Sequence, residues 1–264
     1  MMRLKDKVAI VTGGGSGIGK SISENFAREG AKVVVSSLRV SDAQCVSDSI
    51  ISNAGQAFAV QCDVSIKKDV QKTVAKAVEM YGRIDILINN AGISRACSAE
   101  NLPTREWDRL ISVNLNGLFY MSQAVGKHMI KQRSGNIVNV AAMCGLNGIP
   151  DNAAYVASKH GVVGLTKALV VEWTRYGLRI NCICPGLTHT AMVDELERES
   201  PLIYAERKRH LPFGRMATPE EQAAVVTFLV SDEASYVNGL IAYVDSGSHV
   251  LYSGYAFPGT EGIE

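Results

Sequence analysis

A strand, a glycine cluster and a helix follow one another over residues 7–26, and this succession constrains the fold more than any other feature of the sequence. Lys7–Thr12 reads KVAIVT, a short apolar and β-branched run that predicts a buried strand. Gly13, Gly17 and Gly19 follow, and apolar residues then recur at helical spacing. Glycine permits positive φ and lets a backbone approach a phosphate at the positive end of a helix. Such turns also serve purely structural purposes, and the spacing differs from GxGxxG, but the strand–turn–helix setting favours dinucleotide binding.

Further runs of the same kind recur along the chain and alternate with helical patterns. They predict strands at residues 32–37, 57–62, 84–88, 136–140, 179–184 and 240–244. Each run ends in a small or polar turn. The alternation, without an internal repeat, predicts an α/β fold: a doubly wound (Rossmann) parallel seven-stranded sheet with helices on both faces, in a single domain over residues 1–250. A tail, residues 251–264, follows. Ligands of such sheets bind outside the carboxyl ends of the strands.

The composition excludes several classes of function. A net charge of +1 offers no electrostatic basis for binding nucleic acid or an anionic membrane, and no window of eighteen apolar residues suggests a membrane span. Six cysteines are scattered without CxxC spacing, which indicates reduced thiols rather than a zinc site or a disulfide framework. Residues 1–7 do not resemble a signal peptide. We therefore expect a cytoplasmic protein without a metal site.

A tyrosine and a lysine stand four residues apart at the start of a long apolar helical run that reaches about Tyr176. At this spacing Tyr155 and Lys159 share one face of a helix. The ammonium is expected to favour the phenolate and so to lower the pKa of the tyrosine, which makes Tyr155 a candidate general acid/base. The same spacing occurs on many solvated helix faces, so the pair needs support from the rest of the chain.

The end of the second predicted strand bears on the choice of cofactor. An acidic residue there would bind the adenosine ribose and repel a 2′-phosphate. This chain has Ser37, Leu38 and Arg39 instead. The missing acid and the arginine favour NADP(H), and NAD(H) stays possible because Arg39 can also face solvent.

From Lys7 to about Gly247, the motifs of this chain and their order resemble those of the short-chain dehydrogenase/reductase family. The shared motifs are TGGGSGIG at 12–19, Asp63-Val64, NNAG at 89–92, Asn114, Tyr155 with Lys159, Asn181, Pro185-Gly186 and Thr190. The resemblance implies a dinucleotide held by most of these positions. The implied cofactor residues are Gly13, Ser16, Gly17, Ile18 and Gly19 for the pyrophosphate, Ser37 and Arg39 at the adenosine end, Asp63 and Val64 for the adenine, Asn90, Ala91 and Gly92 for its ribose, Tyr155 and Lys159 at the nicotinamide ribose, and Pro185, Gly186, Thr188 and Thr190 around the carboxamide.

The resemblance also assigns a role to Asn114. The pattern of residues alone indicates that an asparagine in an apolar helix is either hydrogen-bonded within the protein or exposed to solvent. In this family the equivalent residue keeps a water in a proton relay to the lysine. The resemblance further implies oxidation of a secondary alcohol, with Tyr155 taking the hydroxyl proton while hydride passes to the nicotinamide, or the reverse reduction of a ketone.

One position departs from the family pattern. The family places a catalytic serine, which hydrogen-bonds the substrate oxygen, thirteen residues before the tyrosine, and that position is Ala142 here. Loss of one preorganised donor typically costs 10²–10³ in kcat. Three explanations stay open: an engineered substitution, a natural one with a substitute donor such as Cys144, Asn147 or His189, or a catalytically silent dinucleotide-binding regulatory or scaffold protein.

The substrate side of the site is expected in a charged insertion. The segment from Thr190 to about Arg215 is irregular in composition and predicts a lid. The expected pocket residues are Ser94, Cys144, Leu146, His189 and Tyr204. In the tail, Tyr252, Tyr255 and Phe257 either cap the pocket of a neighbouring subunit or fold back. The substrate is expected to be a small alcohol or ketone of unspecified identity.

The helix from Tyr155 to Tyr176 predicts assembly. Its small residues Ala157, Gly161, Gly164 and Ala168 form one stripe, and valines lie elsewhere around its circumference. A helix that is apolar on more than one side needs more than one covering surface. A partner subunit is the expected second cover, and the resemblance implies a homotetramer formed through this helix.

Overall fold

The computed structural model describes residues 2–199 and 201–251 of the 264. The strands are β1 (Val8–Thr12), β2 (Lys32–Ser37), β3 (Gln56–Gln61), β4 (Ile86–Asn89), β5 (Gly135–Val140), β6 (Leu178–Pro185) and β7 (Ile241–Val244). They form one parallel sheet in the order β3-β2-β1-β4-β5-β6-β7. The predicted doubly wound sheet is confirmed, and each strand begins and ends within two residues of its predicted bounds.

Helices cover both faces of this sheet. They are α1 (Gly17–Arg28), α2 (Val40–Ser52), α3 (Lys67–Tyr81), α4 (Thr104–Ile111), α5 (Leu118–Gln132), α6 (Ala153–Trp173), α7 (Ala191–Glu199), α8 (Pro201–Arg209) and α9 (Pro219–Val230). One core layer packs α1, α2 and α9 against the sheet, and the other packs α3, α5 and α6. Successive strand residues alternate between them: Val11 lies in the first layer and Ile10 in the second. Because both faces are covered, β1 is buried along its whole length.

The chain order places a switch point between β1 and β4. From β1 the chain runs outward through β2 and β3, and it then returns to add β4 on the other side of β1. The turns that follow β1 and β4 therefore lead into helices on opposite faces. The crevice between them is the place where an open parallel sheet binds its ligand.

The charged insertion that is expected to form a lid is helical. Residues 190–215 contain α7 and α8, and Lys208 Nζ of α8 lies 2.6 Å from Glu197 Oε1 of α7. The charged composition is compatible with helices because Glu, Leu and Arg are good helix formers. Pro201 at the first position of α8 also suits a helix start.

Two predictions concern parts of the chain away from the sheet. Tyr252, Tyr255 and Phe257 lie outside the described residues. Within residues 2–199 and 201–251, none of the helices combines the length and the apolar character that crossing a bilayer would require.

Candidate active site

A cavity of about 610 Å³ opens at the carboxyl ends of the strands, between the switch point and the lid. Most residues that the sequence analysis assigned to cofactor or substrate line it. These are Gly13, Ser16, Gly17, Ile18, Asn90, Ala91, Gly92, Ser94, Ala142, Cys144, Tyr155, Lys159, Pro185, Gly186, Thr188, Thr190 and Tyr204. They come from the turns after four different strands, from the start of α6 and from the lid. The fold thus gathers segments that are distant in sequence around one chamber.

The two turns at the switch point are locked together by hydrogen bonds. Thr12 Oγ1 donates to the Ile88 carbonyl (3.1 Å) and accepts from the backbone N–H groups of Asn90 (3.0 Å) and Ala91 (3.1 Å). Asn90 Nδ2 in turn donates to the carbonyls of Thr12 (3.0 Å) and Gly13 (3.2 Å). Thr12 was missed by the sequence analysis. The sequence feature that could have identified Thr12 is its position at the end of a central strand, where a hydroxyl can hydrogen-bond to a neighbouring turn.

The N-terminus of α1 opens into the cavity and suits an anionic group. Ser16, Gly17 and Ile18 line the cavity, and the Ser16 side chain makes no capping hydrogen bond within the helix. Gly13 and Gly17 adopt positive φ, 62° and 50°. Backbone N–H groups at a helix N-terminus bind phosphates, so this turn fits the pyrophosphate of a dinucleotide.

Gly19 does not line the cavity, contrary to the expectation that it contacts the cofactor. A Cβ at this position would overlap the Gly13 carbonyl oxygen and lie 2.5 Å from Asn90 Nδ2. Gly19 therefore lets α1 pack closely under the turn, and its part in a dinucleotide site is indirect. Sequence spacing could not separate these two uses of a glycine.

The four residues expected at the adenosine end lie outside the cavity, along the same sheet edge. Ser37 ends β2, and Asp63 Oδ1 accepts from Ser65 N (2.9 Å) and Oγ (2.6 Å). Val64 is buried against Gly117, where a Cβ would lie 2.7 Å from Val64 Cγ2. These contacts stabilise the turn after β3.

Arg39 is an exposed side chain with an acidic partner that the sequence analysis missed. It keeps 77% of its side chain exposed, and its Nε lies 2.8 Å from Asp42 Oδ2. Asp42 belongs to the first turn of α2 and packs beside the glycine turn, where a Cβ at Gly15 would be 2.7 Å from Asp42 Cβ. A carboxylate therefore does stand near the end of β2, on the following helix instead of on the strand.

Tyr155 and Lys159 lie in the first turns of α6 and both line the cavity. Lys159 Nζ is buried, donates to the Val140 carbonyl at 2.9 Å and lies 5.6 Å from the centre of the Tyr155 ring. The pair therefore faces the cavity, as predicted, and the solvated-face interpretation is wrong for this helix.

The expected effect of Lys159 on the tyrosine is not what the structure gives. Burial raises the pKa of the Tyr155 phenol, and nearby Cys144 and Tyr204 add to the rise. Burial also lowers the pKa of the Lys159 ammonium. Burial therefore sets the direction of both pKa shifts, and the ammonium is directed to the Val140 carbonyl.

Asn114 lies behind the cavity wall, in a π-helical turn (Ser112–Gly117) that joins α4 to α5. Its Oδ1 accepts from Ile93 N (2.8 Å), and its Nδ2 donates to Ile93 O (2.9 Å) and to Ser158 Oγ (3.1 Å). A Cβ at Gly92 would be 3.4 Å from Asn114 Oδ1 and 3.6 Å from Lys159 Nζ, so the three groups meet. Asn114 is a satisfied buried amide placed next to the lysine, and π-turns are frequent at functional sites.

Ala142 presents a methyl group to the cavity, and only one of its expected substitutes lies there with it. Cys144 lines the cavity, and burial raises the pKa of its thiol to about 11, so the thiol stays protonated and is a weak donor. Asn147 does not line the cavity. His189 was expected in the pocket, but its side chain is 66% exposed outside it, with Nδ1 3.7 Å from Asp194 Oδ1. Its backbone pairs with Ala217 at the rim, which turns the side chain outward.

Other residues of the site were either missed or placed wrongly. Leu146 packs into the core beneath the cavity and does not line it. Lining residues that the sequence analysis missed include Asn152 before α6, Leu187 after β6, Ser248 after β7, and Glu206, Arg207 and His210 of the lid. Among residues 2–199 and 201–251, no group of three or more His, Cys, Asp and Glu side chains could hold a metal ion.

The chain is similar to known proteins over most of its length. A family model described as enoyl-(acyl carrier protein) reductase matches residues 13–249. The chain is 39% identical to a 3-oxoacyl-[acyl-carrier-protein] reductase of Thermotoga maritima over 93% of this chain and 99% of that protein. It is 41% identical to a cyclohexanol dehydrogenase of an Acinetobacter species, over 92% and 95%. A structure from Beutenbergia cavernae, described as an NAD(P)-dependent gluconate 5-dehydrogenase with bound NADP, superimposes with a TM-score of 0.90 at 37% identity, covering 95% and 99%.

Proposed function

Because the chain belongs to the short-chain dehydrogenase/reductase family, we propose that it is an NAD(P)-dependent oxidoreductase that interconverts a secondary alcohol and a ketone. The observation that carries the proposal is the meeting of Tyr155 and Lys159 with the glycine turn in one cavity. Proteins similar to this chain include dehydrogenases of cyclohexanol and of D-threitol. A bound nicotinamide would supply the hydride acceptor or donor.

In this proposal Tyr155, Lys159 and Asn114 have separate roles in proton transfer. In the oxidation direction Tyr155 takes the hydroxyl proton of the alcohol as hydride leaves the carbinol carbon, and in the reduction direction it returns that proton to the ketone oxygen. Lys159 donates to the Val140 carbonyl, and in this proposal it would hold the nicotinamide ribose and pass the proton onward. Asn114 fixes the inner end of this path through its bonds to Ile93 and Ser158.

The direct experiment follows the absorbance of the reduced cofactor during incubation with a panel of secondary alcohols and ketones. Turnover of any member supports the proposal. The competing function, a catalytically silent dinucleotide binder, is favoured by Ala142 and opposed by the retained Tyr155, Lys159 and Asn114. Dinucleotide binding without turnover, in the natural chain and in Ala142→Ser, would establish the silent binder.

For the cofactor we propose a preference for NADP(H), with NAD(H) second. Arg39 is exposed at the start of α2, and β2 itself ends without an acid. Arg39→Ala is expected to raise KM for NADP⁺ about tenfold and to leave KM for NAD⁺ within about twofold, because a charge-assisted bond to the 2′-phosphate is lost. Asp42→Asn should lower KM for NADP⁺ by freeing the guanidinium.

Steady-state kinetics with both cofactors measures this preference. Arg175→Ala is the matched control, since Arg175 is also exposed but lies after α6 at the opposite edge of the sheet. A lower KM for NAD⁺ than for NADP⁺ in the natural chain, unchanged in Arg39→Ala, would reverse the assignment.

For assembly we propose a homotetramer that uses α6. This helix exposes Ala157, Gly164, Ala168 and Val171, the last with 83% of its surface accessible. Small and apolar exposed residues on one helix face suit close contact with a second copy. Light scattering should give about four times 28.4 kDa. A mass near that of one chain would contradict the proposal. A cytoplasmic location stays a prediction.

A further inference from the structure

An arginine of the lid faces the chamber in which the proposed reaction takes place. Arg207 lies on α8, lines the cavity and is half-buried. Its guanidinium carbon stands 4.9 Å from the centre of the Tyr204 ring, and Tyr204 is itself buried. Stacking on an aromatic ring orders a guanidinium while leaving its N–H edge free to bind another group.

Within residues 2–199 and 201–251, Arg207 has no acidic partner within 4.0 Å, and the group that its guanidinium meets is the Tyr204 side chain, whose phenol pKa it acts to lower. Its neighbours differ, since Lys208 lies 2.6 Å from Glu197 and Arg209 lies 4.0 Å from Glu206. Glu206 also borders the cavity, but its side chain is 63% exposed and lies 3.7 Å from His210. A half-buried cation with unused donors is costly unless a ligand supplies the counter-charge.

The position of Arg207 points to the substrate and away from the cofactor phosphates. Tyr204 is close enough to Tyr155 to raise the pKa of that phenol, and Arg207 acts on the pKa of Cys144 in the opposite sense to burial. Arg207 and Tyr204 line the same cavity as Tyr155 and Cys144, so the guanidinium shares a chamber with the residues of the proposed reaction. The N-terminus of α1 already offers N–H groups for a pyrophosphate.

We propose that Arg207 binds an oxyanion of the substrate, so that the substrate of the proposed reaction is an anionic hydroxy or oxo compound. This inference rests on the proposed function. The planar fork of a guanidinium fits a carboxylate or a phosphate in two parallel hydrogen bonds. Bound in this way, the anion would orient the carbinol carbon toward Tyr155 and the nicotinamide.

A kinetic experiment compares alcohols that differ only in the anion. One pair is 4-hydroxypentanoate with pentan-2-ol, and the other is propane-1,2-diol 1-phosphate with propane-1,2-diol. The natural chain should prefer the charged member of at least one pair, and which pair shows the preference separates a carboxylate from a phosphate. Arg207→Gln should reduce this preference about 10- to 100-fold, chiefly through KM, as expected for a lost bond to a charged group.

Two further variants test whether misfolding or a general loss of positive charge could explain this result. Arg207→Lys keeps the charge without the fork and should restore part of the preference, which shows that the protein still folds. Arg209→Gln removes an equal charge from the same helix outside the cavity and should leave the preference unchanged. Equal kcat/KM for charged and neutral members in the natural chain, or a preference that survives Arg207→Gln, would overturn the inference.

A binding experiment does not depend on turnover. Ligand-observed NMR compares pentanoate with pentanamide, and methyl phosphate with methanol, on the natural chain and on the Arg207 and Arg209 variants. An anion that binds more tightly than its neutral partner and is lost in Arg207→Gln supports the inference even if no alcohol is oxidised, in which case only the proposed function fails. Absence of anion binding, or anion binding that persists in Arg207→Gln, refutes it.

Discussion

Tyr155→Phe is expected to lower kcat by about 10³-fold, within the range that a positioned general acid/base contributes. Dinucleotide affinity should stay within about threefold of the natural chain. The Tyr155 side chain makes no hydrogen bond within the described residues, so removal of its hydroxyl leaves no buried partner unsatisfied and should not affect stability. Stopped-flow or steady-state rates and a cofactor titration measure the two effects separately.

A second phenol in the same cavity provides the control for this result. Tyr204→Phe also removes a hydroxyl from the cavity wall, yet it should change kcat by less than about tenfold because Tyr204 is not the proton donor. If Tyr155→Phe kept the kcat of the natural chain, the assignment of Tyr155 would have to be abandoned.

Ala142→Ser should raise kcat by about 10²–10³-fold, the reverse of the loss that follows removal of one preorganised donor. Ala142 lines the cavity in an extended backbone conformation, φ −166° and ψ 167°, which any residue adopts. A serine hydroxyl therefore fits at this position without backbone strain and would donate a hydrogen bond to the substrate oxygen. KM should change little, because the gain arises in the transition state.

The matched control adds bulk at the same position without a donor. Ala142→Val should not increase kcat. An unchanged or lower rate in Ala142→Ser would mean that another group already donates to the substrate oxygen. Cys144→Ala then tests the one expected substitute that lies in the cavity, and a loss of rate there would identify the thiol as that donor.

Prediction from the sequence succeeded for structural features that depend on local order along the chain. The strand ends, the glycine turn after β1 and the turn after β4 follow from hydrophobic period and from glycine. Parallel strands bring their carboxyl ends to one edge, so these turns had to meet near Tyr155 once the sheet was known. The sequence analysis misplaced His189 and Leu146, because sequence position in a loop does not tell which way a side chain turns.

The sequence by itself determined the doubly wound sheet, the edge that holds the site and the pairing of Tyr155 with Lys159, since each depends on residues close together in the chain. Only the tertiary structure decided that Gly19 serves packing and that Arg207 faces the cavity, whereas the ion pair of Arg39 and Asp42, three residues apart, is local. It also reversed the expected direction of the pKa of Tyr155. Close approach of the backbone, the direction of a side chain and desolvation all depend on distances between different elements, and those distances exist only after the elements have packed.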